Sequence, residues 1–477
     1  MNMSLLAYIV RKIGLNKGRP RVYLDTRAIN VAGFESGKTY SRKVDLEQKR
    51  ITLTLEKNGQ FLVSRKEKDG QMIPVIDIHS AEVLSSFEGM NAVRVVIEHG
   101  VIHIMPLASE INRVNRLERM KQHVENGEIL TAGVSFGGGV LDHAAHAGLK
   151  AAGLNASLRM ANEIDGDLLE HASKVNDVWS DSTIALAAPM QELVQDAAAM
   201  SRLKPVDILA MGIPCSGASR AGSSKRKLAI MEDHCEVGHL IASAIMIINK
   251  IQPGVIVVEN VPEYEATASA QILRQHLRDS GYDIQEKVLK ARDFGCLENR
   301  NRWFMVGSTR GMAIDLVNLE PLVYPVRTVQ EILDQVDPAS PEWRSFDYLK
   351  TKEVRDAAKG NGFSMQVVEP SSSTVPTLRK GYHKGGSTDP LLAHPKDPEL
   401  LRQFSVDEHA RIKEVPEKLV EGLNKTDGHI LLGQGIAYAP VKELFRRIGQ
   451  SITKWVAEGS TAIPPQGVTY QLGLATG

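Results

Sequence analysis

The sequence predicts an α/β protein in which an open, largely parallel sheet with helices on both faces follows a smaller β-rich domain. Two observations carry this. From Ile129 the chain alternates strand-length apolar runs with helix-length segments, in the order "ILTAGVSF", "DHAAHAGLKAAG", "SLRMANEID", "MQELVQDAAAM", "VDILAMG", "HLIASAIMIINKI", "GVIVVEN" and "QILRQHLRDSG", the pattern of βα units stacked into one sheet. Residues 1–105 instead hold short β-rich segments such as "RITLTL" and "AVRVVIEHGVIHIM", with turn signals at Gly37, Gly59, Gly70, Gly89 and Gly100. A chain of 477 residues, 43% hydrophobic and 24% charged, has room for two or three cores.

The N-terminal part contains a weak internal repeat. "RVYLDTRAINVAGFESG" followed by "ITLTL" matches "PVIDIHSAEVLSSFEG" followed by "VIHIM" in the order of apolar strand, short helix, Phe-Glu, Gly and strand. The pattern resembles the swapped-hairpin DNA-binding β-domains of bacterial transition-state regulators and certain antitoxins, which implies a DNA-binding role; a structural or dimerising domain fits it equally. Residues 106–127, with "ASEINRVNRLERMKQHVENGE", read as a charged helical connector. The short run "LLAYIV" gives way at once to Arg11 and Lys12, so neither a signal peptide nor a membrane span is expected.

Cys215, Cys235 and Cys296 are the three cysteines, with no close pair, which argues against a disulfide framework or a thiolate zinc site and for a reducing cytoplasm. No metal site is expected. A net charge of zero removes the simple polycation argument for nucleic acid, although "RKIGLNKGRPR" and "RAGSSKRK" are local basic patches.

In open α/β sheets ligands bind beyond the carboxyl ends of the strands, so residues there are the candidates for chemistry. After the first strand of the α/β part come Gly137, Gly138 and Gly139, which permit a tight turn and close approach to a ligand. After the second comes Glu163, whose two carboxylate oxygens suit a pair of ribose hydroxyls. Together they imply an adenosine-containing cofactor. Asp181 in "WSDST", placed after a third strand, is a candidate acceptor for an adenine amino group or a helix N-cap. The fourth strand delivers Pro214 and Cys215 into a loop of small residues, where a thiol is free to approach a substrate. Ser219, Ser223, Arg220, Lys225, Arg226 and Lys227 make that loop polar and basic, suited to phosphates. The fifth strand ends on Glu259 and Asn260, and a carboxyl group desolvated there could donate a proton. Arg300 and Arg302 stand at alternate positions entering a further strand, so they share a face and could serve an anionic substrate or a surface ion pair.

Taken together these residues resemble the DNA cytosine-5 methyltransferases of bacteria and bacteriophages. "PCSGAS" matches the family's Pro-Cys loop, "ENV" its Glu-Asn-Val motif and "ENRNRWFMVG" its Gln-x-Arg-x-Arg segment, in the family's order. "NEID", "RQFSVDEHARIKEVP" and "GQGIAYAPVKELFRRIGQSI" extend the match over roughly residues 128–455. The resemblance implies a mixed, Rossmann-like methyltransferase sheet, with a catalytic domain over 128–310, a target-recognition region over 311–400, C-terminal motifs returning to the catalytic domain over 401–460, and a tail over 461–477. It implies S-adenosylmethionine as cofactor, with Glu163 and the adjacent Ile164 at the ribose, Asp181 at the adenine, and Gly137, Gly138, Gly139 and Pro214 around it. It implies double-stranded DNA as partner and a cognate restriction endonuclease as a further one. Cys215 would add to cytosine C6, Glu259 would act at N3, Arg302 would support O2, and the base would be flipped out of the duplex, with Ser219 and the basic loop closing over it. Asn260 would hold the active-site loops and Arg300 would support them.

Within 311–400, "RKGYHKGG" offers Arg379 and Lys380, with His383 and Lys384, for phosphates or guanines; Ser219, Arg220, Lys225 and Arg300 complete the set expected at DNA. The chain departs from the family at three places: Val134 and Phe136 stand where an aromatic residue and the first glycine are usual, Glu298 replaces Gln, and Gln434 replaces Asn. Methylation of cytosine in RNA, and a DNA-binding regulator with a silent methyltransferase body, are the alternatives. A thiol hydrolase needs an oriented His that nothing in the chain singles out.

Overall fold

The computed structural model describes residues 5–68, 70–88, 90–214, 231–234, 237–317, 319 and 325–458. They form two compact units, divided between Asn115 and Arg116. The expected tail over 461–477 lies outside the described residues.

In the N-terminal unit, alternation of apolar and polar residues produces strands with one buried face. Val93, Val95 and Ile97 point inward from Ala92–Glu98, and Ile102 and Ile104 from Val101–Pro106. The succession Arg19–Leu24, helix Arg27–Val31, Thr39–Asp45, Arg50–Leu55 recurs as Gln71–Ile78, helix Ala81–Leu84, Ala92–Glu98, Val101–Pro106. Counterparts pair with each other: Val22 faces Ile78 and Leu24 faces Ile76, while Ile51 faces Ile104 and Thr54 faces Val101, both antiparallel.

The larger unit is built on one seven-stranded sheet. Its strands are β1 (Glu128–Val134), β2 (Asn155–Glu163), β3 (Ile184–Ala187), β4 (Ile208–Gly212), β5 (Val255–Asn260), β6 (Tyr282–Lys290) and β7 (Asn301–Thr309), in spatial order β3-β2-β1-β4-β5-β7-β6. β7 runs antiparallel to both neighbours and the other pairs along β1 to β5 are parallel. β4 and β5 are almost continuously buried, which is why they read as plain apolar runs. Helices α1 (Val140–Ala151), α2 (Gly166–Val175), α3 (Leu240–Ile251) and α4 (Ala268–Asp279) connect them, and α5 (Tyr438–Ala457) returns from the C-terminal part to lie on α1. That last contact is close: a Cβ on Gly148 would come within 2.2 Å of the Lys442 carbonyl oxygen. The segment "MQELVQDAAAM" is two short helices, Met190–Leu193 and Ala197–Arg202, because Asp196 accepts from Ala199 N at 2.9 Å and starts the chain anew.

Residues 106–127 do more than connect. They hold a helix, Ala108–Glu125, whose second half belongs to the larger unit. Arg116 is 1% exposed, with its guanidinium 4.1 Å from the Tyr282 ring centre and hydrogen bonds to Thr309 and Gln252. Met120 is fully buried, and Arg119 and His123 both reach Asp207, the residue before β4. Arginine anchors gave this helix the composition of a solvated linker.

Within 311–400 the chain forms a helix, Asp347–Ala358, and short strands around a small core of Val329, Ile332, Trp343, Val368, Leu378 and Tyr382. No helix among the described residues is long and apolar enough to cross a membrane.

Candidate active site

The strand order reverses between β1 and β4, and a cleft of about 1540 Å³ opens beyond the carboxyl ends of the strands there. Its size suits a nucleoside-containing cofactor together with a second ring.

One end is the glycine turn after β1. Ser135, Gly137 and Gly139 have φ of 54°, 55° and 73°, a left-handed backbone that favours glycine. The turn delivers the Gly137 N–H to Glu163 Oε2 at 2.7 Å, while Glu163 Oε1 accepts from Ile164 N and Asp165 N at 2.9 and 3.1 Å. Glu163 is thereby fixed at the end of β2, with Gly137, Gly138 and the exposed Ile164 lining the cleft beside it. Gly139 is not on the cleft wall: a Cβ there would meet the Phe136 ring and Asn176 Nδ2 at 2.5 Å, so it serves packing at the start of α1. Phe136 is 4% exposed and packs edge-on against Trp179, with ring centres 5.8 Å apart. An aromatic side chain therefore braces the turn from within.

Asp181 does not hold the position expected of it. It precedes β3, lies exposed in a turn closed by Ser180 and Thr183, and is not among the residues of the cleft. The residues that do follow β3 into the cleft are Ala188, Pro189, Met190 and Gln191. Asn162, not singled out from sequence, places them, since its buried Nδ2 donates to the Leu186 and Ala188 carbonyls at 2.9 and 2.8 Å.

At the other end of the cleft, Pro214 follows β4 and Glu259 closes β5. Glu259 Oε1 lies 2.7 Å from Arg302 Nε, with the two side chains 13% and 17% exposed. Asn260, 1% exposed, donates from Nδ2 to the Ile213 carbonyl at 3.0 Å and accepts from Val261 N at 2.9 Å. It ties the end of β5 to the backbone one residue before Pro214. Cys215, Ser219, Arg220 and Lys225 lie outside the described residues. Cys296 is buried in the core, where burial pushes its thiol up and away from thiolate character.

Arg300, expected at DNA or as a support, lines the cleft but has little free surface. It is 4% exposed, and its guanidinium is committed to Glu298 Oε1 at 3.4 Å and to the Gly433 carbonyl at 3.1 Å. Glu298 is fully buried and takes Lys413 Nζ at 2.9 Å. Burial pushes the Glu298 carboxyl up, but Lys413 and Arg300 outweigh it and hold the group below the usual range. Arg379 and Lys380 line the cleft and are both exposed, and Arg379 is anchored by Asp389 at 2.6 Å.

The residues present fit S-adenosylmethionine. A fixed carboxylate at the end of β2 matches a ribose diol, and Phe136, Ile164, Pro189 and Met190 supply apolar walls for a purine.

Comparison with known proteins agrees with this geometry. Residues 145–450 match the family described as C-5 cytosine-specific DNA methylase. The Type II methyltransferase M1.ScrFI of Lactococcus lactis subsp. cremoris is 25% identical over 256 residues, covering 52% of this chain and 63% of the relative, so the match spans less than two thirds of that protein. M.NlaX of Neisseria lactamica is 24% identical over 256 residues, covering 52% and 77%. In fold the chain is similar to the S. pombe Dnmt2 methyltransferase, with a TM-score of 0.52 and 17% identity over 67% of this chain and 97% of the other. The Entamoeba histolytica methyltransferase EhMeth gives 0.51 and 14% over 67% and 98%.

Proposed function

The chain belongs to the C-5 cytosine-specific DNA methylase family, and from that premise we propose that it transfers a methyl group from S-adenosylmethionine to C5 of cytosine in double-stranded DNA. The observation that carries the proposal is the Glu259–Arg302 pair, 2.7 Å apart at the wall of the cleft that Pro214 enters.

Cytosine C5 is a poor nucleophile. The Cys215 thiolate adds to C6, and the electron pair displaced from the C5–C6 double bond makes C5 nucleophilic. Glu259 meets the base at N3, and the Arg302 guanidinium donates to O2, where negative charge gathers. S-adenosylmethionine, which Glu163 and the turn at Gly137 and Gly138 would hold, would supply an electrophilic methyl group that C5 takes as the sulfonium leaves as a neutral thioether. Loss of the C5 proton to a base then restores the double bond and expels the cysteine thiolate. C6 is out of reach within a duplex, so the cytosine must leave the stack to enter the cleft. Arg379 and Lys380 line the same cleft and would meet the backbone of the strand that carries the flipped cytosine.

The N-terminal unit is proposed to help hold the DNA. Residues 1–105 carry 16 Lys and Arg against 11 Asp and Glu, so the basic excess of a neutral chain is concentrated there. A cytoplasmic location and a cognate restriction endonuclease complete the proposal.

The test is base-resolution mapping of 5-methylcytosine in DNA from a methylation-free host expressing the protein, beside Cys215→Ala. Methylation at a short shared sequence, absent from the variant, is the expected result. Unmethylated DNA from a host containing folded protein that binds S-adenosylmethionine refutes it and turns attention to RNA.

A further inference from the structure

Glu298 is one of the three places at which this chain departs from the family pattern, and the structure surrounds it with partners from three separate segments. Its backbone opens a two-residue strand, Glu298–Asn299, paired in parallel with Val375–Pro376 from the target-recognition region. Its Oε1 accepts from Leu378 N at 3.0 Å, and Thr377 Oγ1 donates to the Asn299 carbonyl at 2.6 Å. Its Oε2 takes Lys413 Nζ, and both side chains are fully buried. Arg300 joins the same carboxylate to the Gly433 carbonyl. Gly433 in turn lies against the recognition segment, where a Cβ would meet the Arg379 carbonyl group at 2.4 Å. Two residues beyond Arg300 stands Arg302, against Glu259.

A neutral glutamine could accept from Leu378 N, but it could not balance two buried cations. A carboxylate does both, and a fully buried ion pair persists only when each partner is satisfied. Resting on the reading of the cleft as a cytosine-5 methylation site, we propose that the Glu298–Lys413 pair is a positioning device: through Leu378 and Arg300 it registers the target-recognition segment against the strand that presents Arg302. It acts on the target side of the cleft and leaves the cofactor side, built on Glu163, untouched.

The experiment compares wild type, Glu298→Gln and the double variant Glu298→Gln/Lys413→Met, using unmethylated bacterial genomic DNA and a tritiated methyl donor. Glu298→Gln is expected to lower kcat/KM for DNA at least tenfold, with S-adenosylmethionine affinity within twofold of wild type by calorimetry. The double variant, which buries no unpaired ammonium, should recover the thermal stability lost by the single variant while kcat/KM for DNA stays at least tenfold low, because Arg300 still lacks its carboxylate. A double variant with wild-type kcat/KM overturns the proposal, since the pair would then be exchangeable for any well-packed neutral residues. Loss of cofactor affinity in step with DNA activity overturns it too, because the pair would then support the whole cleft. A wild type that binds the cofactor but leaves DNA unmethylated removes the underlying reading, and the proposal with it.

Discussion

Replacing Asp207 by Asn should weaken the catalytic unit without impairing its chemistry. The Asp207 carboxylate is fully buried and accepts from Arg119 Nε at 3.2 Å, from Leu130 N at 2.8 Å and pairs with His123 Nδ1 at 2.6 Å. Asparagine retains one acceptor and turns an N–H toward either the Arg119 guanidinium or the Leu130 N–H, both of which donate. Each charge-assisted hydrogen bond is worth roughly 1.5–3 kcal/mol. Arg119 keeps the Gln252 carbonyl at 2.6 Å, and its side chain and that of His123 are 16% and 24% exposed, so water recovers part of the loss. A net cost of about 3 kcal/mol follows, and with an unfolding entropy of roughly 2.1 cal/mol/K per residue over the about 340 residues of the larger unit it lowers the unfolding temperature by about 4 °C. Asp207 precedes the five residues of β4, so it lies about 17 Å from the cleft end of that strand at roughly 3.3 Å per residue. Thermal unfolding followed by tryptophan fluorescence, with kcat measured well below the transition, separates the two effects. An unfolding temperature within about 2 °C of wild type would refute the assigned role. So would a tenfold loss of kcat in a variant of unchanged stability.

Further substitutions probe the Glu163 end of the cleft and the helix behind it. Glu163→Ala removes the acceptor of three backbone N–H groups and the proposed ribose partner, so the S-adenosylmethionine Kd should rise roughly 10- to 100-fold; titration calorimetry giving a wild-type value rejects the assignment. Gly138→Ala drives a Cβ to within 2.3 Å of Leu431 Cδ1, on a side chain 1% exposed, and should cost about 1–3 kcal/mol. Leu431→Ala in the same chain should relieve much of this, and a double variant no more stable than Gly138→Ala would show that the crowding lies elsewhere. Asp142 is buried in the first turn of α1, and burial pushes its carboxyl up to about 8. The folded state therefore keeps a proton that the unfolded chain releases near pH 4, and stability is lost as pH rises from about 4 to about 8. Asp142→Asn has no such dependence, so its advantage over wild type should grow between pH 5 and pH 8 in urea unfolding. A constant difference would contradict a neutral buried carboxyl.

What was legible in the sequence follows from where the chemistry sits. Glu163, Pro214 and Glu259 end or follow strands whose apolar runs announce them, so the residue and its address are read together. Asp181 was misplaced because β3 is short and largely exposed, with no apolar run to mark its end, and the polar turn before it resembles one after it. Gly139 belongs to an unmistakable glycine run, yet which glycine faces the cleft and which faces Phe136 is decided by packing across the turn. Arg300 and Arg302 look equivalent at alternate positions and both line the cleft, but their partners separate them: Arg302 meets Glu259, whereas Arg300 is tied to Glu298 and Gly433. Glu298 was visible only as a departure from a motif. Its explanation, Lys413, stands 115 residues away, in a segment where a lysine suggests a solvated surface. A buried charge is costly enough that its partner must exist somewhere in the fold, so a carboxylate in place of an amide amounts to a prediction that a cation is buried opposite it. Sequence can state that requirement, whereas the identity of the cation depends on which distant segment the fold brings alongside.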